Sequence, residues 1–366
     1  PRSGAAPHPL VSRQHRMSRD AMLTIYSEDH RLQHGKVELT GGHFIPVVEK
    51  PERAETILAR IKAVGLGEVR APERFGTDPI ARVHAPHFIR FLETAWDEWA
   101  AAHGEIDALP TNWAVRNMRQ VVPSSIEGKL GYYASDCGTP ITAGTWRAAL
   151  SSVDVALTGA KLVAADGKPV FSLCRPPGHH ASTDVYCGYC FFNNAAVAAQ
   201  WFRDNGAARV AVLDIDYHHG NGTQEIFYGR DDVLFVSLHA DPNVEYPYYL
   251  GYAEERGEGA GEGFNLNLPM PFGTTWDRYR EALDAALARI RDYGADAVVL
   301  SFGADTFQED PISQFKLNSD DFTRMGEILG RGLSVPTLTV MEGGYAVDAL
   351  GVNVSNLLQA LETSAR

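Results

Sequence analysis

The chain has 366 residues, of which 45% are hydrophobic and 22% charged, a composition typical of a soluble globular protein with a sizeable core. Its formal net charge of −13 argues against a nucleic-acid binder, which usually presents a basic surface. That charge would suit a cationic substrate, and it serves solubility equally well. Four cysteines are too few for a disulfide scaffold, so we expect a reducing cytoplasm. We see no apolar run of the length that a membrane span needs.

The amino-terminal third has the less regular pattern. Residues 1–21 are rich in Arg, Ser, Pro and Ala and lack the apolar stretch of a secretory signal, so we expect a disordered leader or a start-site artefact. A first strand is predicted at Leu23–Tyr26, and helices are predicted at Arg53–Val64 and Pro86–Ala102. From His103 to Gly131 no period is visible, and a loop of that length is usually functional or interfacial.

The carboxyl-terminal two-thirds alternates short apolar runs with helical patterns. Runs of Val, Leu and Ile without alternation indicate strands buried on both faces, and strand–helix alternation indicates a parallel sheet. Residues 22–366 are therefore predicted to form one α/β domain, a mostly parallel multi-stranded sheet with helices on both faces. Thr274 and Ser319 are predicted helix N-caps. The predicted strands are Val170–Leu173, Val210–Ile215, Val233–Leu238, Ala297–Phe302 and Pro336–Met341, and the predicted helices are Asn193–Arg203, Trp276–Asp292, Asp320–Leu329 and Val352–Leu361.

Metal-binding side chains follow two of these strands. Asp214, Asp216 and His218 alternate along an extended segment, so they can face the same way at the end of a strand. Asp305 follows a second buried strand. Two carboxylates and one imidazole leave a coordination position open, as in a catalytic zinc site, and the oxygen ligands also admit Fe²⁺ or Co²⁺. In the alternative interpretation, these acids only cap helices and form turns.

Three other segments have functional and structural interpretations. His179 and His180 follow Pro-Pro-Gly, whose irregular loop would allow one imidazole to act as a general base, although such pairs are often structural. Tyr345 follows two glycines and could donate to an oxyanion, or it could simply lie in a turn. Cys187 and Cys190 have redox-motif spacing without the expected context, which favours two buried thiols.

Together, the motifs RPPGHHA, GYCFFNNAA, DIDYHHGNGTQ and MEGGY, in this order, resemble those of the histone deacetylase family. The resemblance runs from about Thr24 to about Leu358, and TIYSEDH, LGYY and ITAGTW narrow it to the bacterial acetylpolyamine amidohydrolases. It implies the arginase–deacetylase α/β fold. It also implies a zinc-dependent amidohydrolase that removes acetyl groups from polyamines or small diamines.

The resemblance also assigns roles to single residues. Zn²⁺ would be held by Asp216, His218 and Asp305. Many family members carry aspartate in place of Asn221, so we expect a less basic His180 in this chain. The implied catalytic residues are His180 as general base and then acid, His179 as its electrostatic partner, Asp214 and Asn221 as the groups that orient these histidines, and Tyr345 as a hydrogen-bond donor to the scissile carbonyl.

Ion, substrate and partner sites follow from the same likeness. A structural K⁺ would lie at Asp214, Asp216, His218, Ser237 and Leu238. The residues expected to bind substrate are Gly188, Tyr189, Tyr246, Glu38 and Glu127, the last two because polyamines are cationic. Residues 96–125 resemble an insertion that builds a homodimer and narrows the channel mouth. The alternatives left open are a protein acetyl-lysine deacetylase, another acyl-amide hydrolase, an arginase-type ureohydrolase and a non-catalytic acylamine-binding protein.

Overall fold

The computed structural model describes residues 22–114, 117 and 119–365. The predicted leader at residues 1–21 lies outside this part of the chain. The described strands are β1 (Leu23–Ile25), β2 (Val37–Thr40), β3 (His43–Pro46), β4 (Val69–Arg70), β5 (Val170–Ser172), β6 (Val210–Asp214), β7 (Val233–Ala240), β8 (Asn265–Met270), β9 (Ala297–Phe302) and β10 (Thr337–Met341).

Eight of these strands form one sheet in the order β4-β1-β5-β10-β9-β6-β7-β8, and each pairing within it is parallel. The predicted strands of the carboxyl-terminal two-thirds are confirmed, with ends shifted by at most two residues. Strands β2 and β3 form a separate antiparallel hairpin that the sequence patterns did not predict.

Helices cover both faces of the sheet, as predicted. The side chains of β6 alternate between two cores, with Ala211 and Leu213 facing one and Val210 and Val212 facing the other. The first core is completed by α1, α7, α8 and α9, and the second by α2 to α6. The described helices are α1 (Glu52–Val64), α2 (Pro86–His103), α3 (Ile126–Tyr133), α4 (Thr145–Asp166), α5 (Asn194–Asp204), α6 (Asn221–Phe227), α7 (Trp276–Tyr293), α8 (Ser319–Gly332) and α9 (Val347–Ser364).

The longest helix, α4, was missed because it is apolar around most of its circumference and so has little amphipathic period. Our expectation of no membrane-length apolar segment was wrong for this helix. An 18-residue window of α4 has a mean hydropathy of 1.4, enough to cross a membrane by length and composition. Since 72% of that window is buried inside the fold, α4 packs as a core helix.

Both predicted N-caps were one residue away from the observed cap. Helix α7 follows Thr275, whose side chain makes no capping bond, while the Thr274 hydroxyl donates to the Pro271 carbonyl. Helix α8 is capped by Asn318, whose side chain accepts from the backbone of Asp320 and Asp321. The Asp321 carboxylate accepts from the Asn318 backbone in return, which completes a capping box.

The strand order explains how segments far apart in the chain meet. Strands β5, β10, β9 and β6 are neighbours in the sheet, and each is followed by one of the four motif segments. Because parallel strands all point the same way, their carboxyl ends lie along one edge of the sheet. The histidine pair, the second acid, the tyrosine loop and the alternating acid–histidine segment therefore converge there.

Candidate metal centre and active site

The three predicted metal ligands converge at this edge. One ligand atom each from Asp216, His218 and Asp305 lies within 4.8 Å of the others, and all three residues are buried. His218 Nδ1 lies 3.1 Å from Asp305 Oδ2 and 3.4 Å from Asp216 Oδ1. Two buried carboxylates beside one imidazole concentrate negative charge that a divalent cation would neutralise. The donor set therefore fits a metal site with an open coordination position.

Two glycines make room for these ligands. A Cβ atom at Gly303 would lie 2.0 Å from Asp216 Oδ2, and one at Gly343 would lie 2.5 Å from Asp305 Oδ2. The backbone also orients the carboxylates, since Gly343 N donates to Asp216 Oδ2 at 2.8 Å and Tyr217 N donates to Asp305 Oδ1 at 2.9 Å. The close approach excludes any side chain at either glycine position.

The two adjacent histidines have different environments. His180 Nδ1 lies 2.7 Å from the amide oxygen of Asn221, which can only accept, so the hydrogen sits on Nδ1 and Nε2 is left as the basic nitrogen. Burial and the charge on His179 lower the pKa of His180 well below 6.5.

His179 has the opposite pKa shift. Its Nδ1 lies 3.0 Å from Asp214 Oδ2. Although burial works against the charged form, the negative charges of Asp216 and Asp214 raise the pKa of His179 to about 10. These opposite pKa shifts favour a cationic His179 and a neutral His180 at neutral pH, which is the arrangement that the predicted electrostatic and proton-transfer roles require.

Tyr345 is held by a residue that the sequence analysis missed. Arg53 lies with its guanidinium carbon 4.5 Å from the centre of the Tyr345 ring, and it donates at 2.6 Å to the carbonyl oxygens of both Gly344 and Glu342. Arg53 is 2% exposed and shares the buried face of α1 with Ile57, four residues further on. An arginine on the apolar stripe of an amphipathic helix was the signal that could have identified it.

A pocket of about 360 Å³ reaches His218, one of the three predicted metal ligands. Its wall includes the predicted substrate-binding residues Gly188, Tyr189 and Tyr246, together with His180 and Tyr345. The Tyr246 ring stands edge-on to the His180 ring with 5.0 Å between centroids. Aromatic walls of this kind can pack a slender aliphatic chain.

The two candidate acids for a cationic substrate lie in different places. Glu38 lines the pocket, is 2% exposed, and accepts a hydrogen bond from the Tyr189 hydroxyl at 3.2 Å. Burial raises its pKa. Glu127 lies outside the pocket, because the first turn of α3 directs it to the end of α2, where it pairs with His103 at 2.7 Å. Of these two predicted acids, Glu38 is the one that lines the pocket within a single chain.

A further acid, Asp136, was missed by the sequence analysis. Its Oδ2 atom accepts from Gly188 N at 2.6 Å and from the Tyr246 hydroxyl at 3.0 Å, so it joins two walls of the pocket. Its Oδ1 atom accepts from Gly138 N at 3.0 Å, two residues further on. An aspartate followed two residues later by glycine, as in Asp136-Cys137-Gly138, is a common turn signal that gave no hint of this role.

The predicted potassium ligands also lie close together. Asp214 and Ser237 are register partners on β6 and β7, and both are fully buried. The Ser237 hydroxyl lies 2.8 Å from His239 Nδ1. Asp216 and His218 follow shortly after Asp214 in the chain, and Leu238 is next to Ser237. Binding of K⁺ by these residues stays a prediction.

The cysteines of the CxxC segment are buried thiols, as expected. Cys187 Sγ donates to the His180 carbonyl at 3.4 Å, and Cys190 Sγ donates to the Gly188 carbonyl at 3.3 Å. Burial raises the pKa of Cys187 to about 12. Both thiols thus brace the loop that carries Gly188 and the histidine pair.

Comparison with known proteins gives consistent similarities. The model of the histone deacetylase domain matches residues 47–361. Acetylpolyamine amidohydrolase 2 of Pseudomonas aeruginosa is 59% identical over 341 residues, covering 93% of this chain and 99% of the relative. Acetylpolyamine amidohydrolase of Mycoplana ramosa is 52% identical, with 93% and 99% covered. The crystal structure of an acetylpolyamine aminohydrolase from Burkholderia pseudomallei superposes with a TM-score of 0.89 at 41% identity, covering 94% of this chain and 99% of that one.

Proposed function

The chain is an amidohydrolase of the histone deacetylase family, on the arginase–deacetylase fold and grouped with bacterial acetylpolyamine amidohydrolases, and from this premise we propose that it deacetylates acetylated polyamines or small diamines. The products are acetate and the free amine. The observation that carries the proposal is that one pocket is lined by both the metal ligand His218 and the buried carboxylate Glu38. Hydrolysis of the acetyl amide needs the metal that His218 would help to hold. The Glu38 carboxylate would pair with the ammonium group of a polyamine.

Family membership implies a divalent metal, and we propose Zn²⁺ at Asp216, His218 and Asp305, with Fe²⁺ or Co²⁺ as substitutes. Two oxygen ligands and one nitrogen ligand support this choice. When bound, the metal would polarise the acetyl carbonyl and lower the pKa of water to about 7. We also propose a second, structural ion, K⁺, at the site that includes Asp214 and Ser237.

Each side chain at the site has a separate proposed role. His180 Nε2 takes the proton of the attacking water and returns it to the leaving nitrogen. His179 stays cationic and stabilises the negative charge that develops on the carbonyl oxygen, to which the Tyr345 hydroxyl donates. The Gly188 carbonyl accepts from the amide N–H, while Tyr189 and Tyr246 flank the aliphatic chain.

The pH profile should report on His180. Its lowered pKa keeps it neutral at neutral pH, so the acidic limb of kcat/KM should lie below pH 6.5, where protonation removes the base. Asn221→Asp adds a negative charge beside Nδ1, favours the imidazolium and should move that limb to higher pH. The measurement is kcat/KM against pH for both proteins. An unmoved limb in the variant would mean that another group sets it.

Replacing Glu38 with glutamine should weaken binding of cationic substrates. Its described partners are hydrogen-bond donors without charge, so an ammonium would supply the missing countercharge. Loss of one charge-assisted bond, about 1.5–3 kcal/mol, corresponds to roughly 10–100-fold in KM for N-acetylputrescine.

The control substrate for this variant is N-pentylacetamide, which has the same chain length without the charge. Its KM should change less than about threefold. Glu127→Gln is the matched control protein, because that carboxylate lies outside the pocket of its own chain. Equal effects of Glu38→Gln on both substrates would remove Glu38 from the specificity argument.

The proposed substrate class is tested by comparing kcat/KM of the zinc-loaded enzyme on N-acetylputrescine, N-acetylcadaverine, N-acetylspermidine and an acetyl-lysine peptide. Preference for the small acetylamines supports the proposal. Preference for the peptide would keep the chemistry and replace the substrate class. No turnover on any of them, with metal bound, would point to another acyl amide or to a binding role.

We further propose a cytoplasmic homodimer. The cysteines are all free, which suits a reducing compartment. The segment between α2 and α3 exposes apolar side chains, including Ile106 at 57% and Val121 at 47%, which a second subunit would cover. Sedimentation equilibrium at micromolar concentration tests the assembly, and a monomer would remove this part of the proposal.

A further inference from the structure

We propose that Asp310 is a positioning residue. It holds the loop of Tyr345, so that the Tyr345 hydroxyl is correctly directed and the reaction is fast. The proposal deepens the proposed function and rests on it for the role of the Tyr345 hydroxyl. Asp310 lies five residues after the metal ligand Asp305, in the segment that follows β9, and is 5% exposed. It neither belongs to the metal triad nor lines the pocket.

Its carboxylate joins two segments of the pocket wall. Oδ2 accepts from Tyr345 N at 2.6 Å and from Ala346 N at 3.1 Å, while Oδ1 accepts from Ile312 N at 3.2 Å. Tyr345 and Ile312 both line the pocket. The buried side chain of Asp310 thus sets the distance between the Tyr345 loop and the segment that contains Ile312.

The Tyr345 loop needs such an anchor. It follows two glycines and precedes α9, and neither Tyr345 N nor Ala346 N has another acceptor among the hydrogen bonds of the described chain. Arg53 holds the same loop from the other side through the carbonyls of Gly344 and Glu342. Because its carbonyls bond to the Arg53 guanidinium and its amides to the Asp310 carboxylate, both the position and the rotation of the loop are fixed.

A displaced Tyr345 would still contact the substrate chain but would misdirect its hydroxyl. A misplacement of about 1 Å can lower a rate by roughly 10²-fold. Asp310→Ala removes all three bonds, so we expect kcat to fall by roughly 10–100-fold on N-acetylputrescine, with KM changed less than about threefold. Asp310→Asn keeps the volume and one acceptor oxygen, so it should fold and show a smaller fall.

A double-mutant cycle separates positioning from a general structural role. In the Tyr345→Phe background, where the hydroxyl is already absent, Asp310→Ala and Asp310→Asn should each lower kcat by less than about threefold. Equal losses in both backgrounds would overturn the proposal, as would loss of bound metal. Glu309→Gln, an exposed carboxylate on the neighbouring residue, is the matched control.

A binding measurement makes the test independent of turnover. Acetohydroxamate presents a carbonyl oxygen to the same hydroxyl, so Asp310→Asn and Tyr345→Phe should each weaken its binding, and the double variant should be no weaker than Tyr345→Phe alone. If the wild type hydrolyses no acetylamine while this coupling holds, the proposed function fails and the positioning role stands. Additive weakening would contradict the positioning role.

Discussion

Tyr345→Phe is expected to lower kcat by roughly 10²–10³-fold, because it removes one donor to the oxygen on which negative charge develops. The ring should stay in place, since it lies against the Arg53 guanidinium at 4.5 Å and edge-on to the Tyr189 ring at 5.7 Å. KM should therefore change less than about threefold, as expected for an interaction made in the transition state.

The measurement is steady-state kinetics on N-acetylputrescine with the metal content determined for each protein. Tyr279→Phe is the matched control, since this tyrosine is fully buried, donates to the Ile215 carbonyl at 3.3 Å and lies outside the pocket. It should leave kcat within about twofold. If Tyr345→Phe raised KM and left kcat unchanged, the hydroxyl would serve ground-state binding rather than catalysis.

His180→Ala is expected to lower kcat by roughly 10²–10⁴-fold, the contribution usually made by a general acid–base residue. Metal binding should survive, because the ligand triad does not include His180. The acidic limb of the pH profile that we assign to His180 should disappear from the residual activity.

The contrasting variant is His218→Ala, which removes a proposed ligand. It should lose bound metal as well as activity, measured by elemental analysis after dialysis. Should His180→Ala also lose its metal, the two histidines would share a ligand role, and the separation between base and ligand would be wrong.

Much of the architecture could be predicted from the sequence because strands at the centre of a parallel sheet are short runs of Val, Leu and Ile without alternation. Every residue of the runs at Val210–Asp214 and Ala297–Phe302 is buried, and the acids after them lie at the carboxyl edge of the sheet. The convergence of Asp216, His218 and Asp305 follows from that geometry.

The roles of the missed residues depend on tertiary contacts. Arg53 stands out on the apolar stripe of α1, but the loop that it holds is known only once α1 packs beside Tyr345. Asp136 has no such local signal, and its role is visible only once its turn reaches Gly188 and Tyr246. Glu127 was selected for its charge, whereas the direction of its side chain depends on the contact between α2 and α3. Charge alone does not say which acid faces a pocket.

The residues proposed for the chemistry and Glu38 are carried by separate parts of the chain. The proposed metal ligands and the two proposed catalytic histidines follow strands of the eight-stranded sheet, whereas Glu38 lies on β2 of the two-stranded hairpin. If Glu38 binds the substrate ammonium as proposed, mutations in the hairpin should change substrate selectivity without moving a reacting group. On this proposal, hairpins exchanged between relatives should change which amines are accepted and leave the residues proposed for hydrolysis unchanged.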